Sequence, residues 1–249
     1  MRYKIFLLLI IVGFLSCNKK EEAKAKTVVE TKDTLNPEIY DYEETESEEI
    51  LLKQLEFPKT GKSVEDFVLQ SCEIKMKAEG FLNDDSLTDI VIVLQNENDR
   101  TDDRAVLVLL QEETGGYKLQ DLSWEAVGPE YLENGYRIYD NEEISIDKER
   151  QLHITLQAIG PPGSRETIYK YINNELTLVK MGTFNAGAGS HLSSEYDFIA
   201  GKVDHEVTNT MHDSMPSRHE TKKFNLKRPP LFGSDNPDEV REKLPAGDW

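Results

Sequence analysis

Several places in this chain bring together side chains that can do chemistry. The loop Gly80-Phe81-Leu82-Asn83-Asp84-Asp85-Ser86-Leu87-Thr88-Asp89 concentrates oxygen donors just ahead of the most apolar stretch. Taken by its residues, it is a polar turn that starts a strand, with Asp89 bonding backbone amides. His205-Glu206, His212-Asp213 and His219-Glu220 recur at equal spacing. On one helix they would form a stripe able to hold a metal. Val207-Thr208-Asn209-Thr210 and Pro216 instead spell strand and loop, so no stripe forms and the histidines are expected in solvent. In a hairpin some of them can still approach each other. Gly187-Ala188-Gly189-Ser190-His191 sets a serine beside a histidine but lacks the G-x-S-x-G elbow, and is expected to be a flexible loop. Gly160-Pro161-Pro162-Gly163 is a turn between strands rather than a phosphate cradle. H-E-x-x-H is absent, and no spacing singles out a carboxylate pair for acid–base work.

The two cysteines have different surroundings. Residues 1–16 have the parts of an export signal: Arg2 and Lys4, an apolar run over 5–15 broken only by Gly13, and the small Ser16. The run is short for a spanning helix, which needs about 20 apolar residues. Phe14-Leu15-Ser16-Cys17 resembles the lipobox of bacterial lipoproteins, with Phe14 where the strict pattern prefers Leu. The resemblance implies cleavage before Cys17, a diacylglycerol on its thiol and an acyl chain on its freed amine. Each buried CH2 adds about 0.8 kcal/mol, so several chains anchor stably. Lys20-Glu21-Glu22 is similar to the surface-export signal of Bacteroidota-type lipoproteins. It implies an outer-membrane protein, on the cell surface ahead of the periplasmic face. With Cys17 lipidated, Cys72 has no disulfide partner and reads as a small buried hydrophobe.

The chain of 249 residues carries a formal charge of -18. Loss of Arg2 and Lys4 with the signal makes it about two units more negative. This balance disfavours nucleic acid and anionic lipid as partners. Residues 17–47 read as the lipidated cysteine and a disordered acidic tether, too poor in large apolar residues to offset the entropy of ordering. Residues 48–227 read as a β-rich domain and 228–249 as a C-terminal tail, with one helical turn after Asn236-Pro237.

The elements that must position these groups follow from hydrophobic spacing. Ile50, Leu51, Leu52 and Leu55 form a short amphipathic helix pattern ended by Pro58. Thr60-Gly61-Lys62 reads as a turn, and Ser63 caps a second short helix with Val64, Phe67 and Val68 on one face. The runs 90–94 and 105–110 are continuous, apolar and rich in β-branched residues, as suits strands buried on both faces. Ile144, Ile146, Leu152, Ile154 and Leu156 alternate as a hairpin with one buried face. The runs 167–172 and 176–179 flank Asn173-Asn174-Glu175, a second hairpin in which Asn tolerates positive φ. Weaker strand patterns occupy 196–199 and 222–226. The fold class is therefore mainly β, an antiparallel meander of sandwich or blade-like sheets, with one or two short N-terminal helices. No internal repeat of propeller length is present.

The 80–89 loop and the strand after it resemble the D-L-N-x-D-G-x-x-D loop of calcium-binding FG-GAP and VCBS blade repeats. They are more similar to a single-loop group of uncharacterised Bacteroidota-type lipoproteins, in which two buried strands follow and late hairpins complete a β domain. The likeness spans about 63–226 and includes 168–179 and 196–202. It implies calcium ligands at Asn83, Asp85 and Asp89, with the Leu87 carbonyl as a further donor. Phe81 stands where that pattern has its first Asp, which removes one carboxylate. No cofactor is expected; calcium at this loop is the alternative to a plain polar turn.

The expected function is a lipid-anchored envelope or cell-surface protein. Its β domain would bind a protein or glycan, or serve a structural role, without catalysis. A hydrolase of envelope polymers using a carboxylate pair, and an acidic inhibitor of a cationic lytic enzyme, are the alternatives.

Overall fold

A computed structural model describes residues 52–160 and 163–248. The export signal, Cys17, the tether and the pattern residues Ile50 and Leu51 lie outside the described residues.

The described chain is mainly β, in two antiparallel sheets. The five-stranded sheet holds β1 (Thr60–Gly61), β2 (Cys72–Gly80), β3 (Asp89–Asn96), β4 (Ala105–Gln111) and β5 (Tyr117–Ser123), in the order β1-β5-β4-β3-β2. The seven-stranded sheet runs through β6 (Asn141–Ile146), β7 (Gln151–Gln157), β8 (Ser164–Ile172), β9 (Glu175–Gly187), β10 (Ser190–Asp197), β11 (Lys202–Asn209) and β12 (Ser217–Lys223). Every neighbour in that sheet is also a neighbour in sequence, which is the meander expected. A helical turn, α1 (Pro237–Glu242), follows Asn236, whose side chain caps the N–H groups of Asp238 and Glu239. Among the described residues, no helix is long and apolar enough to cross a membrane.

The continuous apolar runs are the centre of the structure. On β3 and β4, Val91, Val93, Val106 and Val108 face the second sheet, where Leu152, Ile154, Leu156, Tyr169 and Leu178 meet them. Ile90, Ile92, Leu94, Leu107 and Leu109 face the other way, under Leu52, Phe67 and Cys72. Both faces are dry, so alternation disappears from these two strands. Each fully buried aliphatic side chain contributes roughly 1.5–3 kcal/mol. The second sheet is covered on one face only, and β7 keeps the alternation that a half-solvated strand requires.

The N-terminal elements differ from expectation. Both are short 3-10 turns, Leu52–Gln54 and Val64–Phe67; Ser63 is the N-cap of the second, as expected, in a capping box with Asp66. The Asp66 carboxylate accepts the N–H groups of Lys62 at 2.6 Å and Ser63 at 3.1 Å. Thr60-Gly61, expected in a turn, pairs with Tyr117 and Lys118 of β5. Gly61 permits this because a Cβ there would sit 2.7 Å from the Phe67 ring. The 187–191 stretch is a tight hairpin between β9 and β10 rather than a flexible loop, with Gly189 at φ +95° in the turn. The strand expected over 196–199 ends at Asp197, whose side chain accepts the N–H groups of Ile199 and Ala200 and starts a turn.

Two buried arginines tie the second sheet to the chain around it. Arg104, fully buried ahead of β4, grips the Glu142 carboxylate of β6 with both terminal nitrogens, at 2.8 and 2.6 Å. Its Nε donates to the Gly128 carbonyl at 2.7 Å. Arg165 of β8 pairs with Asp238 of α1 and donates to the Ala126 carbonyl. Phe232, fully buried against Tyr169, ties the C-terminal stretch to the same core.

Candidate functional site

The 80–89 loop lies at one end of the inter-sheet core. Gly80 ends β2 where it has no room for a side chain: a Cβ would lie 2.6 Å from Ile146 Cγ2 of β6. The chain then leaves the sheet, buries Leu82 and returns at Asp89. Asp89 is fully buried, and its two carboxylate oxygens accept the Leu82 N–H at 2.8 Å and the Gln111 N–H at 3.2 Å. Burial pushes its pKa up, opposed by those amide bonds. The amide bonding expected of Asp89 is therefore present.

The other residues of the calcium pattern form a chain of local turns. Asn83 Oδ1 accepts the Asp85 N–H at 3.0 Å, and Asn83 Nδ2 donates to Asp85 Oδ2 at 2.7 Å. Asp85 Oδ1 accepts the Leu87 N–H at 2.8 Å. Asn83, Asp85 and Leu87 are thus brought together, while Asp89 points at amides across the strand ends. A calcium ion at this loop would exchange these N–H partners for the metal. Among the described residues, no group of three His, Cys, Asp or Glu side chains is arranged to hold a metal ion.

Beside this loop lies a half-open cavity of about 460 Å³. Such volumes are typical of ligand clefts, which run from about 300 to 1,000 Å³. Four regions of the chain build it. Leu82, Asn83 and Asp84 come from the loop, and Leu110 and Gln120 from β4 and β5. Arg150 comes from the β6–β7 turn, and Lys170, Tyr171, Asn173 and Asn174 from the end of β8 and its turn. Asn173 and Asn174 hold φ +53° and +66°, the left-handed pair that a two-residue hairpin needs. Arg150, itself at φ +60°, pairs with Asp84 across the cavity mouth. Gln120 is there because β5 carries a bulge: Leu119 pairs with Leu109 and Asp121 with Val108, leaving Gln120 the extra residue. Bulges re-aim side chains in this way.

One lining residue, Tyr171, forms a half-buried pair with Asp121. The Tyr171 hydroxyl donates to Asp121 Oδ2 at 2.8 Å. Burial pushes the Asp121 carboxyl up, with the Tyr171 bond opposing it. Burial, and the charge of Asp121, push the Tyr171 phenol far above its ordinary range. The phenol therefore stays a hydroxyl at any working pH, and its proton is committed to Asp121.

The remaining candidates stand apart from this cavity. His205, expected in solvent, is buried, because the alternation of β11 puts it on the covered face with Val203. Its Nδ1 is 2.8 Å from Ser194 Oγ, its Nε2 is 3.0 Å from the Pro245 carbonyl, and Tyr196 packs edge-on against its ring. The serine, the imidazole and the C-terminal chain form a structural clip. His219 is largely exposed and meets Glu206 at 3.6 Å across the β11–β12 hairpin; His212 is exposed in the turn. Cys72 is buried as expected, and burial raises its thiol pKa.

Sequence reasoning placed the loop but missed Gln120, Arg150, Lys170 and Tyr171 as neighbours of it. Asn173 and Asn174 were legible as a turn and not as part of a site. No short-range signal connects residues so far apart in sequence. Comparison with protein-family models, curated proteins and solved structures finds no match to this chain.

Proposed function

We propose that this chain is a lipid-anchored envelope protein, displayed on the outer membrane through Cys17, whose β domain binds a protein or glycan without transforming it. The observation that carries the binding reading is the cavity of about 460 Å³ at the open end of the core, lined by side chains with free hydrogen-bonding capacity. Its lining supports binding over hydrolysis. Two-carboxylate hydrolysis needs a pair of acids facing one bond. Among the lining residues the one carboxylate is Asp84, and it is engaged by Arg150. The lipid anchor is supported by the signal-like residues 1–16 and the lipobox-like 14–17.

Two measurements test this. Intact mass of the membrane-bound protein, beside Cys17→Ala, is expected to show a diacylglycerol and acyl increment only in the wild type. An unmodified mature chain overturns the anchor. Purified lipoprotein in detergent is then incubated with envelope polymers and scored for retention and for soluble products. Retention without products is expected; released fragments overturn the non-catalytic reading.

A further inference from the structure

We propose that the cavity between the 82–84 loop and the β8–β9 turn is a saccharide site, taking the end of a glycan chain. The inference rests on the binding reading above and names its ligand class. Four side-chain amides line it, those of Asn83, Gln120 and the exposed turn residues Asn173 and Asn174. Asn83 is tied to Asp85, whereas the side chains of Gln120, Asn173 and Asn174 make no internal hydrogen bond among the described residues. Each amide offers a donor and an acceptor in one plane. A sugar hydroxyl is likewise both donor and acceptor, so adjacent hydroxyls match an amide two at a time.

The rest of the lining fits the same ligand. Leu82 and Leu110 give an apolar surface for the C–H face of a ring. The Tyr171 hydroxyl already donates its hydrogen bond to Asp121, so toward the cavity its oxygen can act only as an acceptor. Arg150 and Asp84 offset each other at the mouth, so no ionised ligand is demanded. Lys170 adds one positive charge, which would favour an acidic sugar over a neutral one. The bulge that places Gln120 interrupts the β4–β5 ladder at the cavity and nowhere else along that pair.

A peptide fits less well. Strand addition needs a free sheet edge. Strands β8 and β9 lie inside the seven-stranded sheet, with partners on both sides. Apart from Gln120 in the middle of β5, the cavity is walled by turns and strand ends, which admits a chain terminus rather than a passing strand.

The test is saturation-transfer NMR on the full-length lipoprotein in detergent micelles. The probes are short oligosaccharides of neutral hexose, N-acetylhexosamine and hexuronic acid, with a blocked polar tripeptide as control. Two variants preserve the fold: Asn174→Gly suits the positive φ, and Gln120→Met keeps the volume. Ring-proton transfer is expected for at least one sugar class, with affinity falling about tenfold in each variant, as for one lost hydrogen bond. Lys170→Met is expected to weaken the hexuronic probe alone. Unchanged sugar binding in both variants, or transfer to the tripeptide only, overturns the proposal. If no sugar binds but envelope polymer is still retained and the variants abolish retention, the saccharide class fails and the binding reading survives. If retention is also absent, both fail.

Discussion

Replacing Asp89 by alanine isolates what the loop is built on. The substitution strands two backbone N–H groups, those of Leu82 and Gln111, that the carboxylate now satisfies. An orphaned buried N–H costs about 1–3 kcal/mol. Leu82 is buried and its bond is short, so it belongs in the upper half; the Gln111 bond is longer and less buried, in the lower. Removing a carboxylate that burial already disfavours returns part of that. The net loss is about 2–4 kcal/mol, out of a typical domain stability of about 5–15 kcal/mol. At about 2–4 °C per kcal/mol for this chain length, melting falls by roughly 4–16 °C. Circular dichroism of the full-length protein measures it, and Asp89→Asn should fall between, since it keeps one acceptor. A melting temperature within 1–2 °C of wild type, on the order of the error of such a scan, would refute the reasoning. Calcium supplies the second arm. If the loop serves a metal, millimolar calcium raises the wild-type melt by mass action, about 2.7 kcal/mol at a hundredfold excess over Kd. A calcium-dependent wild type and an insensitive Asp89→Ala would show that the carboxylate serves a cation and not the two amides.

Three further outcomes are expected. Glu142→Ala leaves the fully buried Arg104 guanidinium without its counter-charge and should cost about 3–5 kcal/mol; Arg104→Met with Glu142→Leu should recover most of it, and a single variant that melts like wild type refutes the structural role of this ion pair. His153 sits 3.0 Å from both Asp147 and Glu166. Burial lowers its pKa, but the hydrogen bonds and charges of Glu166 and Asp147 outweigh that and leave it raised. Its contribution is therefore complete below the unfolded value of about 6.5 and disappears as pH rises through the folded pKa. Wild type should lose melting temperature across that window and His153→Gln should not; parallel profiles sink the assignment. Cys72, buried and with its thiol pKa raised, should alkylate far more slowly in the native protein than in urea, read by mass; equal rates would contradict its packing.

The fold was legible wherever burial wrote a pattern. Residues 90–94 and 105–110 became β3 and β4 because a strand dry on both faces must be apolar throughout. The 144–156 and 167–179 hairpins followed from alternation and from Asn173-Asn174. Other strands were missed or seen only in part. In β2 the alternation of Cys72, Ile74, Met76 and Ala78 with Glu73, Lys75, Lys77 and Glu79 is unbroken in the sequence and was passed over; a bulge between Ile74 and Met76 then sends the first two apolar side chains to one face of the sheet and the last two to the other. In β5 the bulge at Gln120 breaks the period of two. In β11, Asp204, His205 and Glu206 hide a strand whose polar face is solvated and whose one inward polar residue is paired. A bulge leaves no mark of its own in the sequence, so the face on which a side chain emerges after it is not legible from the alternation.

That illegibility explains why the candidate site was harder to see than the fold. The loop could be found because its Asn and Asp residues are adjacent and their turn chemistry is local. The cavity beside it depends on an ion pair between residues 84 and 150 and a hydrogen bond between residues 121 and 171. It also depends on a side chain turned inward by one extra residue in β5. None of these has a spacing of its own; each exists only once two unequal sheets share a core and leave one end open. The polar residues that a sequence reading assigns to turns are, at that open end, also the residues with hydrogen bonds to spare. A ligand that takes up those bonds would replace ordered water and rigidify the 82–84 loop and the β8–β9 turn together. Amide exchange at Asn83–Asp85 and at Asn173–Asn174 should therefore slow in concert on binding, with exchange at the distant β11–β12 turn unchanged. Protection confined to one of the two segments would mean that the cavity does not act as a single site.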